Sequence, residues 1–213
     1  MKEKIFKDMK DALGQGDRQA VAKLTKQALD EGIEIKEILN DGLIAGMEII
    51  GNKFKNNEVF IPEVLIAAKA MHEGIAILEP HFTRCGIKPA GKVVIGTVKG
   101  DLHDIGKNIV SMMFKGACFT VYDLGIDVAP GKFVDTVKKE GADIVAMSSL
   151  ITTSMNSMKD TVKALKDSGL RDKLKIMIGG APVTQNFADA IGADGFAKDA
   201  ASAVDKAKEL LKK

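Results

Sequence analysis

The chain has 213 residues, with 31 Lys plus Arg against 29 Asp plus Glu, so no basic excess would draw the whole molecule onto nucleic acid or an anionic membrane. No apolar run approaches the roughly 20 residues of a membrane span, and the N-terminus lacks the charged-then-apolar layout of a signal peptide, so a cytoplasmic protein is expected. Cys85 and Cys118 are unclustered and in no metal-ligand spacing, and they are read as small buried hydrophobes.

Up to about residue 82 the apolar residues recur at helical spacing, as in Leu39, Leu43, Met47, Ile50 and Phe54, and again in Val64, Ala68, Met71, Ile75 and Leu78. Turn-forming residues interrupt these stripes at Gly14 to Asp17, at Glu31-Gly32 and at Asn56-Asn57, and Pro62 suits the first turn of the helix that follows. Four helices result, most simply an antiparallel four-helix bundle over residues 1–82. The stretch TRCGIKPAG, residues 83–91, reads as a linker.

From residue 92 to 213 the period changes. Short apolar runs, KVVIGTV, CFTVYDL, DIVAMSSL, KIMIGG and a weaker DGFA, each precede an amphipathic segment. Five strands alternating with helices predict βαβ units and a parallel sheet covered on both faces, a flavodoxin-like (Rossmann-type) doubly wound α/β domain. In such a sheet ligands bind beyond the carboxyl ends of the strands, where strand order reverses. The unusual residues map to that edge: Asp101, His103 and Gly106 after the first strand, Ser148, Leu150 and Ser154 at or after the third, and Gly179-Gly180 closing the fourth.

The turn VKGDLHDIGKN, Val98 to Asn108, is a poor phosphate loop. Five residues separate Gly100 from Gly106 where a Walker A motif has four, Asn108 stands where Ser or Thr would hold magnesium, and Asp101 and Asp104 would repel a phosphate. A histidine on a loop at the ligand edge, with a carboxylate two residues away to accept its ring N–H, instead has the ingredients of a metal ligand whose tautomer is fixed by a partner. One histidine is too few for zinc. A single protein ligand suits a metal whose other positions are already filled, as in a macrocycle. Elsewhere, His72 and His81 are read as ordinary surface or core histidines, the ten methionines as core filler, Asp123 as a turn residue, and the lysine-rich C-terminal helix as a solvated face.

These residues fall into a known pattern. D-x-H-x-x-G reads Asp101-Leu102-His103-Asp104-Ile105-Gly106, S-x-L reads Ser148-Ser149-Leu150, and G-G reads Gly179-Gly180, with 41 and 28 residues intervening. In this the chain resembles the cobalamin-binding module of cobalamin-dependent methionine synthases and, in size and two-domain build, the stand-alone corrinoid proteins of methyltransferase systems. The resemblance implies that His103 is the lower ligand to the cobalt of a cobalamin (methylcobalamin or another corrinoid), with Asp101 bonded to His103 and Ser154 to Asp101. An imidazole released from the metal beside Asp101 can then take up a proton. Asp104, Ile105 and Gly106 would complete the ligand loop, and Ser148, Leu150, Thr152, Gly179 and Gly180 would line the pocket for the cofactor's nucleotide tail. Phe54 and Ile61, in GNKFKNNEVFIPEV, would shield the upper face of the corrin, and the linker would let that cap move aside.

The function so implied is that of a methyl carrier, inert alone. It accepts a methyl group from a substrate-specific methyltransferase and passes it to a second methyltransferase, with tetrahydrofolate or a thiol as acceptor, and it is reset by a reductive activase. Two other uses of the same module, the cobalamin-binding subunit of an adenosylcobalamin-dependent isomerase and a cobalamin-sensing regulator, fit less well. A helical cap would occupy the place of an isomerase's substrate barrel, and the chain has no basic recognition element for DNA.

Overall fold

The structure, a computed structural model, describes residues 1–82 and 89–212. Most of the expected linker, residues 83–88, and with it Cys85, lies outside the described residues. The chain divides into two units, Met1–Pro89 with Lys115–Cys118, and Ala90–Phe114 with Phe119–Lys213.

The helical unit contains α1 (Lys2–Gln15), α2 (Arg18–Asp30), a segment made of α3 (Ile35–Glu37), a π-helical stretch (Ile38–Ile44) and α4 (Ala45–Lys55), and finally α5 (Ile61–Phe82). Gly16 ends α1 in a left-handed conformation, and Asp17 caps α2 by accepting a hydrogen bond from the Ala20 N–H at 2.9 Å. The π stretch was not foreseen, and its cause is visible in the stripe. Leu39, Leu43 and Met47 are all buried, yet two successive steps of four would carry them about 80° around an ideal α-helix. The wider i→i+5 turn keeps all three on the side that faces the core. That core includes Met9, Leu13, Val21, Leu43, Met71 and Leu78, each without exposed surface.

The second unit alternates β1 (Lys92–Thr97), α6 (Ile105–Gly116), β2 (Thr120–Asp123), α7 (Pro130–Glu140), β3 (Ile144–Ser148), α8 (Met155–Asp167), β4 (Lys175–Gly179), α9 (Gln185–Ile191), β5 (Gly195–Ala197) and α10 (Ala200–Leu211). The five strands lie in the order β2-β1-β3-β4-β5 and every pairing is parallel, the doubly wound, flavodoxin-like arrangement expected from the sequence. Val94, Val145 and Ile176 build one face of the core with Phe133, Val137, Met158 and Leu165 from α7 and α8. Val93 and Ile95, neighbours of Val94 and therefore on the opposite face, are also buried, so both faces are covered.

Strand order reverses at β1, which pairs with β2 on one side and β3 on the other. The register sets Thr97 opposite Ser148, and the Val98 N–H donates to the Ser148 carbonyl at 3.1 Å, so the loops that follow β1 and β3 leave the sheet side by side. Cys118 departs from the buried reading: it is half-buried, with a left-handed φ of 63° after α6.

Candidate ligand loop and hydrogen-bond relay

The loop from Val98 to Asp104 joins β1 to α6, and its main chain is extensively bonded. The Asp101 N–H donates to the Val98 carbonyl at 3.1 Å, the Ser157 hydroxyl to the Lys99 carbonyl at 2.9 Å, and the Thr97 hydroxyl to the His103 carbonyl at 2.8 Å. The Asn108 N–H donates to the Asp104 carbonyl at 2.7 Å and its side-chain amide to the Asp104 carboxylate at 3.0 Å, which starts α6 immediately after the loop. A loop held at this many points presents its side chains in one arrangement.

At its centre is the carboxylate of Asp101, fully buried. Oδ1 accepts from the His103 backbone N–H at 3.0 Å and lies 2.7 Å from the His103 ring Nδ1; Oδ2 accepts from the Leu150 N–H at 2.7 Å and from the Ser154 hydroxyl at 3.0 Å. Burial alone would raise its pKa. The backbone N–H groups of His103 and Leu150, with the imidazole and the serine hydroxyl, outweigh burial and hold it well below the usual carboxylate range. An anionic Asp101 makes Nδ1 the protonated nitrogen, which leaves the lone pair of the imidazole on Nε2. Ser154 is itself buried and its Oγ is 2.7 Å from the Oγ of Ser149, which has no exposed surface. The relay therefore runs His103–Asp101–Ser154–Ser149.

Exposed apolar side chains accompany this polar chain. Leu102, Ile105, Ile126, Leu150 and Ile151, all on or beside loops at the carboxyl edge of the sheet, account for five of the ten exposed large hydrophobics among the described residues. His103 keeps 53% of its side chain exposed among them. A half-exposed imidazole with one nitrogen engaged by an anion and the other available, beside exposed apolar side chains, is one that would suit a metal carried in a large, mostly apolar macrocycle. No group of three or more His, Cys, Asp or Glu side chains among the described residues is arranged to hold a bare metal ion.

The expected residues fall as follows. Asp101, His103, Ser154 and Leu150 meet directly, the last through its backbone N–H. Asp104, Ile105, Gly106 and Thr152 are exposed, and Ser148 is half-buried at the end of β3. Gly179 ends β4, and a Cβ there would be 3.0 Å from the Ala197 carbonyl oxygen. Gly180 has φ 126°, and a Cβ would overlap the carbonyl oxygen of Ser149, so a structural demand for glycine exists beside the expectation of room for a buried tail. In the helical unit Phe54 is half-buried near the end of α4, Ile61 is exposed at the start of α5, and Phe60 beside it is 66% exposed. His72 is exposed and His81 half-buried.

Three residues escaped sequence reading. Ser149 had a signal, a second serine after an apolar strand. Lys107 did not: its side chain is 3% exposed, and its ammonium grips both carboxylate oxygens of Asp123 at 2.7 and 2.6 Å and the Asn108 side chain at 2.6 Å. Asp123 is thus more than the turn residue expected, although it does accept the Gly125 N–H at 2.9 Å. Asp127 is the third; its side chain accepts the Gly100 N–H at 2.7 Å.

Two family models, each described as a B12 binding domain, match the chain, one over residues 91–205 and the other over residues 5–79. The chain belongs to the B12-binding domain family. This B12-binding chain is 43% identical over 212 residues to the dimethylamine corrinoid protein of Methanosarcina barkeri, covering 99% of each. Among solved structures it superposes on a cobalamin-binding protein from Desulfitobacterium hafniense with a TM-score of 0.82 and 34% identity, covering 97% of this chain and 98% of the other. It superposes equally on a chain of the methanol:cobalamin methyltransferase complex of Methanosarcina barkeri, with a TM-score of 0.83 and 27% identity, covering 100% of this chain and 86% of the other. Among the described residues no helix is long and apolar enough to cross a membrane.

Proposed function

We propose that the chain is a corrinoid-bearing methyl carrier: it receives a methyl group from a substrate-specific methyltransferase and yields it to a second methyltransferase whose acceptor is tetrahydrofolate or a thiol. The observation that carries this reading is the exposed imidazole of His103, tied through Nδ1 to the buried carboxylate of Asp101 on a loop that also exposes Leu102. The relatives named above support it, being a corrinoid protein named for dimethylamine and a member of a methanol:cobalamin methyltransferase complex, each matched over essentially the whole of this chain. A methyltransferase is therefore a partner. The second methyltransferase, and a reductive activase that rescues oxidised cofactor, complete the proposed set.

Bound cobalamin supplies a cobalt centre able to take up and give back a methyl group. The chain's own residues would hold it and keep a proton on Nδ1 of His103. His103 Nε2 is the nitrogen placed to ligate, because Asp101 engages Nδ1. Whenever Nε2 is not ligating, the anionic carboxylate 2.7 Å from Nδ1 still fixes the tautomer and the orientation of the ring. Ser154, backed by Ser149, helps keep that carboxylate fixed and anionic. With the cofactor bound, Leu102, Ile105, Leu150 and Ile151 would exclude water from the ligating nitrogen, and Gly179 and Gly180 would admit the nucleotide tail.

The test is reconstitution with hydroxocobalamin, followed by visible spectra and paramagnetic resonance of the cobalt(II) state, using nitrogen-15 labelled protein and His103→Ala. Nitrogen splitting that changes with the label and vanishes in the variant supports the reading. Failure to retain cobalamin, or retention with the cofactor's own benzimidazole still on cobalt, overturns it.

A further inference from the structure

The turn between β2 and α7 holds the ligand loop from the side opposite β3, and it does so through one residue. Asp127 adopts φ 51°, one of three non-glycine residues with positive φ among those described. That backbone is tolerated by aspartate and asparagine but is not their lowest-energy state, so it persists where neighbouring bonds fix it. Here two do. The Asp127 carboxylate accepts the Gly100 N–H at 2.7 Å, and the Asp127 N–H donates to the Asp101 carbonyl at 3.0 Å. The turn is sewn to the end of β1 as well, by Thr97 N–H to the Gly125 carbonyl at 3.0 Å and Val128 N–H to the Thr97 carbonyl at 2.9 Å. Asp101 is thereby gripped from two sides, its carboxylate by Leu150 and Ser154 and its main chain by Asp127.

We infer that Asp127 is a positioning residue for the His103 ligand: by fixing Gly100 and the main chain of Asp101, it sets where the Asp101 carboxylate, and hence the imidazole, stands. The inference rests on the proposed role of His103 as a cobalt ligand. The bonds of Asp127 go to Gly100 and Asp101 and not to the imidazole, so its effect is on the equilibrium between ligated and unligated histidine. Tail binding, which the Gly179-Gly180 turn would serve, is a separate matter.

The series Asp127→Gly and Asp127→Asn separates the possible causes. Glycine adopts the left-handed φ freely and removes only the side-chain acceptor, and asparagine keeps an oxygen acceptor in a residue that tolerates this φ. The full-length protein is loaded with methylcobalamin, and the ratio of histidine-ligated to unligated cobalt is read from the visible spectrum at a raised temperature where the wild type shows both. Loss of one hydrogen bond is expected to lower that ratio roughly fivefold in Asp127→Gly, with Asp127→Asn close to wild type. In ligand-free Asp127→Gly the Gly100 amide should exchange with solvent roughly fivefold faster, a measurement independent of the cofactor. An unchanged ratio in Asp127→Gly, or an equal fall in Asp127→Asn, overturns the inference while leaving wild-type histidine ligation, and so the proposed function, intact. A wild type with no histidine nitrogen on cobalt removes both.

Discussion

In the α/β unit, Leu102, Ile105, Ile126, Leu150 and Ile151 expose apolar surface around a fully buried, four-fold bonded carboxylate. In the helical unit, Ile49, Phe60, Ile61 and Ile66 are also exposed, but on or beside helices, with nothing like the Asp101 network among them. The difference separates two tasks. A network of directional bonds fixes the position of one atom, here a ring nitrogen, to a fraction of an ångström, whereas exposed aliphatic and aromatic groups only exclude water and tolerate exchange for one another. The first region should therefore be brittle to substitution and the second forgiving.

That contrast can be broken most severely at Gly180. Gly180→Ala puts a methyl group into the Ser149 carbonyl at a φ that alanine resists, and a loss of about 3 kcal/mol or more is expected in denaturant unfolding. Asp101→Ala should cost about 3 kcal/mol in the ligand-free protein, because two backbone N–H groups and a serine hydroxyl lose their acceptor. The same carboxylate gives a pH test. Its pKa is lowered on folding, so its contribution is present in full above the ordinary aspartate range and is lost as pH falls toward the lower native value. The stability gap between wild type and Asp101→Asn should accordingly narrow in acid. A gap that stayed constant would mean the carboxylate's charge contributes nothing.

Finer effects sharpen the comparison. Ser154→Ala and Ser149→Ala should each cost about 1 kcal/mol, and the double variant less than their sum, since the two hydroxyls share one hydrogen bond. Additive losses in that double-mutant cycle would show that Ser149 is not part of the relay. On the helical unit, Phe60→Ser should change unfolding free energy by no more than about 0.5 kcal/mol, because its side chain is already in water. A large loss there would place Phe60 in a core rather than on a surface.

Strand order and the carboxyl-edge location of the motifs were legible because parallel strands announce themselves as short, fully apolar runs and because the ligand edge follows from topology. Asp101, His103 and Ser154 were legible as a set through a known pattern, and their meeting follows from a register that puts Thr97 beside Ser148. Asp127 and Lys107 left no comparable trace. An aspartate two residues after a glycine, or a lysine in the first turn of a helix, is ordinary in sequence, and the partners that make each consequential are 27 and 16 residues away. The π-helical stretch was hidden for a different reason: a stripe stepping by four is still close enough to 3.6 to pass as an α-helix over two turns.

That stretch also constrains the length of the chain. Residues Ile38–Ile44 hold more chain per turn than the helix that follows, and Asn40 and Asp41, both exposed within it, are the surplus that the wider turn accommodates. Removing either one would let the segment relax to an α-helix with only a small change of phase, whereas removing a residue from α4 would turn everything before it by about 100°. A residue lost from α4 between Met47 and Ile50 would swing Leu43 and Met47 away from the face they share with Ile50. For the helical unit, the number of residues between two core positions is as much a specification as their identity, and a one-residue gap in 45–55 would do more harm than the same gap in 38–44.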